Sequence, residues 1–273
     1  MSSVPTIGVF DSGFGGLTVL RALLETIPQA RYAFIGDTAR LPYGSKSRRT
    51  IARYAVESAQ FLVREQGAQY LVIACNTASA LALDAIQDAV PVPVLGVIHP
   101  GAHSARSASK SGDVLVIATP ATVQSHAYAT ACEAQGLRAL EKACPLLVPL
   151  VEEGWVDHPV TAEVIRIYMA ELMTHAQQEN LKPDALVLGC THYPLLRPLL
   201  EKAVPSGMRV IDSAEATAAS ARAQFDGIGD AVTPGEDQEI RFFATDSVDK
   251  FERLGSRFLG RPVGHVELVD LGG

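Results

Sequence analysis

No stretch of this chain approaches the roughly 18 uninterrupted apolar residues that a membrane-spanning helix requires. A membrane span is therefore not expected, and MSSVPTIGVFDSG at the start carries no basic segment leading into a long apolar core, so neither is a secretory leader. Cytoplasmic residence is the reading that follows. Charge is scarce as well: charged residues make up 19%, and 23 basic side chains against 30 acidic ones leave a net charge of −7. That balance argues against a surface built to bind nucleic acid by counterion release. The four cysteines, at 75, 132, 144 and 190, include no CxxC pair, which disfavours a disulfide scaffold and a structural zinc site. No metal is expected. There is no GK[ST] tripeptide and hence no P-loop, and a dinucleotide fingerprint starting at Gly13 fails because Thr18 stands where it needs a glycine. The glycine-rich turn after Asp11 and Ser12 suits a small anion on its backbone amides better.

What is present is an apolar chain, 48% hydrophobic over 273 residues, which is long enough for two cores. Short apolar runs alternate with segments of helical period, the pattern of βα units around mostly parallel sheets. Strands are read near 6–10, 31–36, 69–74, 93–97, 113–118, 145–150, 184–189 and 208–211. Helices are read near 15–26, 78–89, 122–135, 160–179, 193–203 and 213–225; the clearest helix lies between the second and third strands, with Ile51, Tyr54, Ala55, Ser58, Phe61 and Leu62 at helical spacing and Gly67 as a stop. Beyond 226 a turn-rich linker precedes a strand, a helix and a strand that would form a sheet edge, with nothing chemical in them.

A long-period feature organises the rest. YLVIACNTAS at 70–79 and ALVLGCTHYP at 185–194 share a layout of apolar strand, small residue, Cys, and a polar pair opening a helix. Cys75 and Cys190 are 115 residues apart, about one α/β domain, so the chain reads as two similar domains, each presenting a cysteine at a strand's carboxyl end. Such ends hold ligands in open α/β sheets, and two facing domains would bring both thiols into one cleft. A helix N-terminus favours the thiolate, so reactivity is expected at both. Asn76, Thr77, Thr191 and His192 add hydrogen-bonding groups and one titratable imidazole. Cys132 and Cys144 lack this context and are read as structural.

FDSGFGG at 10–16, FIGDTARLPYG at 34–44, ACNTAS at 74–79 and GCTHYP at 189–194, in that order, resemble the glutamate racemases of the aspartate/glutamate racemase superfamily over roughly residues 6–220. The resemblance implies two pseudosymmetric α/β domains, here 1–97 plus 208–273 and 98–207, with glutamate enclosed between them. It implies cofactor-independent interconversion of L- and D-glutamate, the latter a precursor of peptidoglycan, with one catalytic cysteine from each domain, Cys75 and Cys190. It also implies that Asp11, His192 and Glu152 assist the proton transfers. Asp11, Ser12, Tyr43, Gly44, Asn76, Thr77, Thr119, Thr191 and His192 would line the substrate site, with Thr122 a rival to Thr119 because Ala118 departs from the usual glycine. None of the six lysines lies in a strand-end motif, so no pyridoxal cofactor is expected. A homodimer is compatible with every motif and required by none. Aspartate racemisation, hydrolysis by Cys190 and His192 alone, and simple amino-acid binding are the competing readings; the last two leave the matched Cys75 unexplained.

Overall fold

The structure is a computed structural model that describes residues 4–225 and 239–272. In chain order the elements are β1 (Thr6–Asp11), α1 (Leu17–Thr26), β2 (Arg31–Gly36), two 3-10 turns (Thr38–Arg40 and Tyr43–Ser45), α2 (Arg48–Arg64), β3 (Tyr70–Ile73), α3 (Asn76–Leu81), α4 (Leu83–Ala89), β4 (Val94–Gly96), α5 (Ile98–Ala108), β5 (Asp113–Ala118), α6 (Pro120–Ser125), α7 (Ala127–Glu133), β6 (Arg138–Ala143), α8 (Leu147–Glu152) and α9 (Pro159–Gln178). Then follow β7 (Ala185–Gly189), a 3-10 turn (Tyr193–Leu196), α10 (Arg197–Ala203), β8 (Arg209–Asp212), α11 (Ala214–Gln224), β9 (Ile240–Ala244), α12 (Val248–Leu259) and β10 (Val266–Leu268).

Among the described residues the strands form two sheets, ordered β10-β9-β2-β1-β3-β4 and β6-β5-β7-β8, with every pairing parallel. Parallel sheets are covered on both faces, so their inner strands are apolar, and β5 and β7 are buried at every position. Helices cover them with one apolar stripe. In α2, Ile51, Ala55, Ser58, Ala59 and Leu62 face inward, Ser47 caps the first turn by accepting from the Thr50 amide, and Gly67 at φ +66° lets the chain turn away. In α12 the stripe is Phe251, Leu254, Phe258 and Leu259. The two-domain α/β architecture expected from the sequence is the one observed.

The strand read at 145–150 is a helix, α8, and the strand lies just upstream at Arg138–Ala143. That strand sits at a sheet edge beside β5 alone and carries Arg138, Glu141 and Lys142, so it has no apolar signature, whereas LLVPLV is too short a run to tell strand from helix. Helix α5 was not anticipated, because Pro100 and Gly101 obscure a stripe of Ile98, Ala102, Ala105 and Ala108. The helices read at 78–89 and 122–135 are each broken in two, at Ala82 and at His126, whose φ is +54°. The strand at 208–211, read as the return to the first domain, instead pairs with β7, so the chain leaves the second sheet after Asp212. Except for Glu239, the turn-rich linker at 227–239 lies outside the described residues; the strand, helix and strand beyond it do form the sheet edge.

Candidate active site

The carboxyl ends of β1, β3, β5 and β7 converge on one cavity of about 420 Å³. Ser12, Tyr43, Gly44, Cys75, Asn76 and Thr77 line it from the first sheet, and Thr119, Glu152, Cys190, Thr191 and His192 from the second. Of the site residues expected from sequence, Asp11 alone is missing from this lining. Its side chain is fully buried, and Oδ2 accepts from the Gly13 amide at 2.9 Å. The anion expected on that turn is thus the protein's own carboxylate. The amides of Leu17, Thr18 and Val19 are meanwhile spent on Phe14, Gly15 and Gly16.

Glycine makes the approach of the two halves workable. A Cβ on Gly15 would fall 2.4 Å from Thr191 Oγ1 and 2.8 Å from His192 Nδ1, and one on Gly44 would fall 2.8 Å from the Thr119 Cβ. Side chains at either position would wedge the cleft open.

Cys75 is the N-cap of α3, with Sγ accepting from the Ala78 amide at 3.4 Å and donating to Ser12 Oγ at 3.3 Å. The sequence reading expected this helix start to favour the thiolate. Burial wins instead: it pushes the thiol up to about 12, the charge of Asp11 adds to the rise, and the Ser12 and Ala78 contacts offset only part of it. Asp11 is itself raised by burial, against the opposing pull of His192 and three backbone amides.

The other thiol has a different setting. Cys190 Sγ lies 3.9 Å from His192 Nδ1, and His192 Nε2 lies 3.4 Å from Glu152 Oε1. Burial alone would strip the imidazole of its proton, yet Cys190 and Glu152 together raise it to about 10. Burial likewise disfavours the Glu152 carboxylate, but His192 and then Lys250 overcome that and hold it below the ordinary range. The two cysteines, similar in sequence, therefore differ in company: a hydroxyl and a hidden carboxylate on one side, an imidazolium and a carboxylate on the other.

Polar groups around the cavity are oriented from behind. Thr77, Thr119 and Thr122 form a triangle of hydroxyls 2.9 to 3.2 Å apart; Thr119 faces the cavity, while Thr122 is fully buried behind it. Tyr128, from α7 of the second domain, donates to Asn76 Oδ1 at 2.6 Å, leaving the buried Asn76 Nδ2 without a protein partner. Asp11 Oδ1 is also unpartnered. Buried polar atoms seldom go unpaired, and of these two Asn76 belongs to the cavity lining, where its amide can donate to a bound molecule. Nothing in the sequence singled out Tyr128, which lies inside a helical stretch, or Lys250, whose Nζ reaches Glu152 Oε2 at 3.0 Å from a tail expected to be chemically silent. Cys132 and Cys144 are fully buried away from the cavity. Among the described residues no helix is long and apolar enough to cross a membrane, and no group of three or more His, Cys, Asp or Glu side chains is placed to hold a metal.

Two α/β units present two thiols to one cleft, and the chain belongs to the Asp/Glu/Hydantoin racemase family, a family of isomerases, whose pattern matches residues 7–221. Glutamate racemases are among its relatives. That of Koribacter versatilis is 54% identical over 98% of both chains. The crystal structure of the Bacillus anthracis isoform RacE1 superposes with a TM-score of 0.87 at 38% identity, covering 98% of both chains. That of Francisella tularensis, in complex with D-glutamate, gives 0.86 at 34% identity over 99% of both.

Proposed function

We propose that this chain is a glutamate racemase that interconverts L- and D-glutamate by a two-base mechanism, with Cys75 and Cys190 on opposite faces of the substrate. The observation that carries the reading is the convergence of two matched strand-end cysteines, one from each sheet, on a single cavity. Inverting a stereocentre through a planar carbanion needs a base on one face and an acid on the other. Cys190 takes the α-proton from L-glutamate, the electron pair left behind delocalises into the carboxylate as an enediolate, and the Cys75 thiol delivers its proton to the other face. The reverse reaction exchanges the roles. The raised pKa of Cys75 supports its being a thiol, hence an acid, when L-glutamate arrives.

The enediolate carries more charge than the bound substrate, so donors aimed at it lower the barrier. Asn76 Nδ2, Thr191 and the backbone amides at the strand ends are suited to that task. His192 relays protons at Cys190, and Asp11 acts from beneath the floor. Ser12, Tyr43, Gly44, Thr77 and Thr119 complete the cavity around the substrate. The product D-glutamate would serve peptidoglycan synthesis in the cytoplasm.

The test follows Cα deuterium incorporation by NMR in deuterated water with each enantiomer. Both Cys75→Ser and Cys190→Ser abolish racemisation, because a serine hydroxyl is a poor base and a poor acid. Cys75→Ser retains slow exchange of L-glutamate with retention, and Cys190→Ser that of D-glutamate. If either variant racemises at the parental rate, the two-cysteine mechanism is wrong.

A further inference from the structure

Helix α12 is the last helix of the chain, it belongs to the six-stranded sheet, and it reaches across to the loop that ends α8 in the other domain. Two contacts on one face of the helix make the link. Lys250 Nζ bonds Glu152 Oε2 at 3.0 Å, and two turns on, the Arg257 guanidinium lies so close to Gly154 that a Cβ there would fall 2.5 Å from Nη1. Gly154 has φ +79°, a conformation suited to glycine. The side chains of Lys250 and Glu152 are 40% and 17% exposed, so the pair sits at the cleft's edge with its carboxylate turned inward.

We propose that Lys250 is a positioning residue for the racemisation, acting through Glu152 and His192 on the Cys190 half of the reaction. The atoms form a line: Lys250 Nζ to Glu152 Oε2, Glu152 Oε1 to His192 Nε2 at 3.4 Å, His192 Nδ1 to Cys190 Sγ at 3.9 Å. A carboxylate with one oxygen tied to an ammonium has the other restrained, and here the second oxygen is held at ion-pair distance from the imidazole. Phe14 and Phe258 pack against that imidazole, and the Phe14 ring lies 5.5 Å from the ammonium, so water is kept from its flank. The charged groups facing Glu152 are Lys250 from α12 and His192 from the β7 loop, with Asp11 beneath His192 and Glu153 following just past the end of α8. Cys75 has no comparable chain, so the effect of Lys250 falls on one face of the substrate.

The sign is fixed by the charge. An adjacent cation favours the carboxylate, so removing it lets Glu152 take a proton at higher pH, and the acidic limb of kcat/KM moves toward neutrality. Because the ammonium is partly exposed and screened, Lys250→Met lowers kcat/KM only about two- to fivefold. The two enantiomers share one equilibrium, so slowing the Cys190 face cannot favour either direction in kcat/KM. It changes which bond-breaking step limits the rate.

This inference rests on the function proposed above, and its test separates the two. The measurements are pH profiles and primary isotope effects with [2-²H]-L- and [2-²H]-D-glutamate, on the parent, Lys250→Met, Lys250→Arg, Glu152→Gln and the Glu152→Gln/Lys250→Met double variant, with melting temperatures to confirm folding. In Lys250→Met the isotope effect rises for one enantiomer, expected to be L, and falls for the other; Lys250→Arg restores both effects and the acidic limb, and the double variant is no slower than Glu152→Gln. A rise on D with a fall on L supports the relay and reverses only the assignment of faces. Unchanged isotope effects, failure of arginine to restore them, or additive losses in the double variant overturn the role of Lys250 while leaving racemisation by the parent intact. A parent that does not racemise glutamate overturns the functional reading itself.

Discussion

Tyr128→Phe removes one oxygen atom and tests how the cavity is held in shape. The phenol is completely buried, donates to Asn76 Oδ1 at 2.6 Å across the domain boundary, and also pairs with Ser213 beyond β8. Its ring packs closely over Gly101 and Gly189, so phenylalanine keeps the packing and loses only the hydroxyl. A buried acceptor left without its donor costs about 1–3 kcal/mol. Two fates share that cost. Part appears as lost stability, at roughly 2–4 °C in Tm per kcal/mol for a chain near this size. The rest appears in the site, because an Asn76 amide no longer held by its oxygen is free to turn its Nδ2 away from the substrate. At about 1.4 kcal/mol per tenfold, kcat/KM should fall about tenfold, with some 150-fold as the ceiling. Racemisation followed by circular dichroism with each enantiomer, alongside thermal melts, gives both numbers. In an Asn76→Ala background the same substitution should cost no further activity. The reasoning fails if Tyr128→Phe lowers Tm while leaving kcat/KM unchanged, or if its activity loss persists when Asn76 is gone.

Gly15→Ala should abolish most activity, a loss above about a hundredfold, while the protein remains folded, since the added carbon collides with Thr191 and His192 across the cleft; near-parental turnover would show that the halves need not meet so closely. Replacing Cys132 or Cys144 by Ala should leave kcat within a few-fold of the parent, and a hundredfold loss in folded protein would assign that thiol to the chemistry. His192 keeps its proton up to about 10, well above its ordinary 6.5, so activity that needs the imidazolium persists below that pH and is lost as pH rises through it. Glu152→Gln removes one of the groups that hold the proton, and the alkaline limb of the profile should move to lower pH; a limb that stays in place would sever the two residues functionally.

The chain's legibility followed burial and sequence distance. Strand-end cysteines stood out because β3 and β7 are buried on both faces and read as plain apolar runs, so the polar residues that end them are conspicuous. The edge strand β6 escaped notice for the opposite reason: none of its residues is fully buried. Asp11 was recognisable as a residue, but its place under the floor depends on how Gly13 folds back to it. Tyr128 and Lys250 work on partners 52 and 98 residues away, and no local pattern encodes such a meeting. The thiol of Cys75 shows the limit most sharply, because helix position and burial act in opposite directions there and only the fold reveals the stronger one.

The order in which the strands occur along the chain also constrains how the molecule comes into being. The four-stranded sheet is contiguous, from Asp113 to Asp212, and has all its partners once that stretch has left the ribosome. The six-stranded sheet is not: β2, begun at Arg31, finds its outer neighbour β9 only at Ile240, and β10 closes the edge at Leu268. During synthesis the first domain therefore waits with an open strand edge while the second, later in the sequence, completes itself. A chain truncated before β9 would keep both cysteines yet present β2 to any other strand nearby, so loss of the tail should be felt first as aggregation of the newborn protein, and only afterwards as a fault in its chemistry.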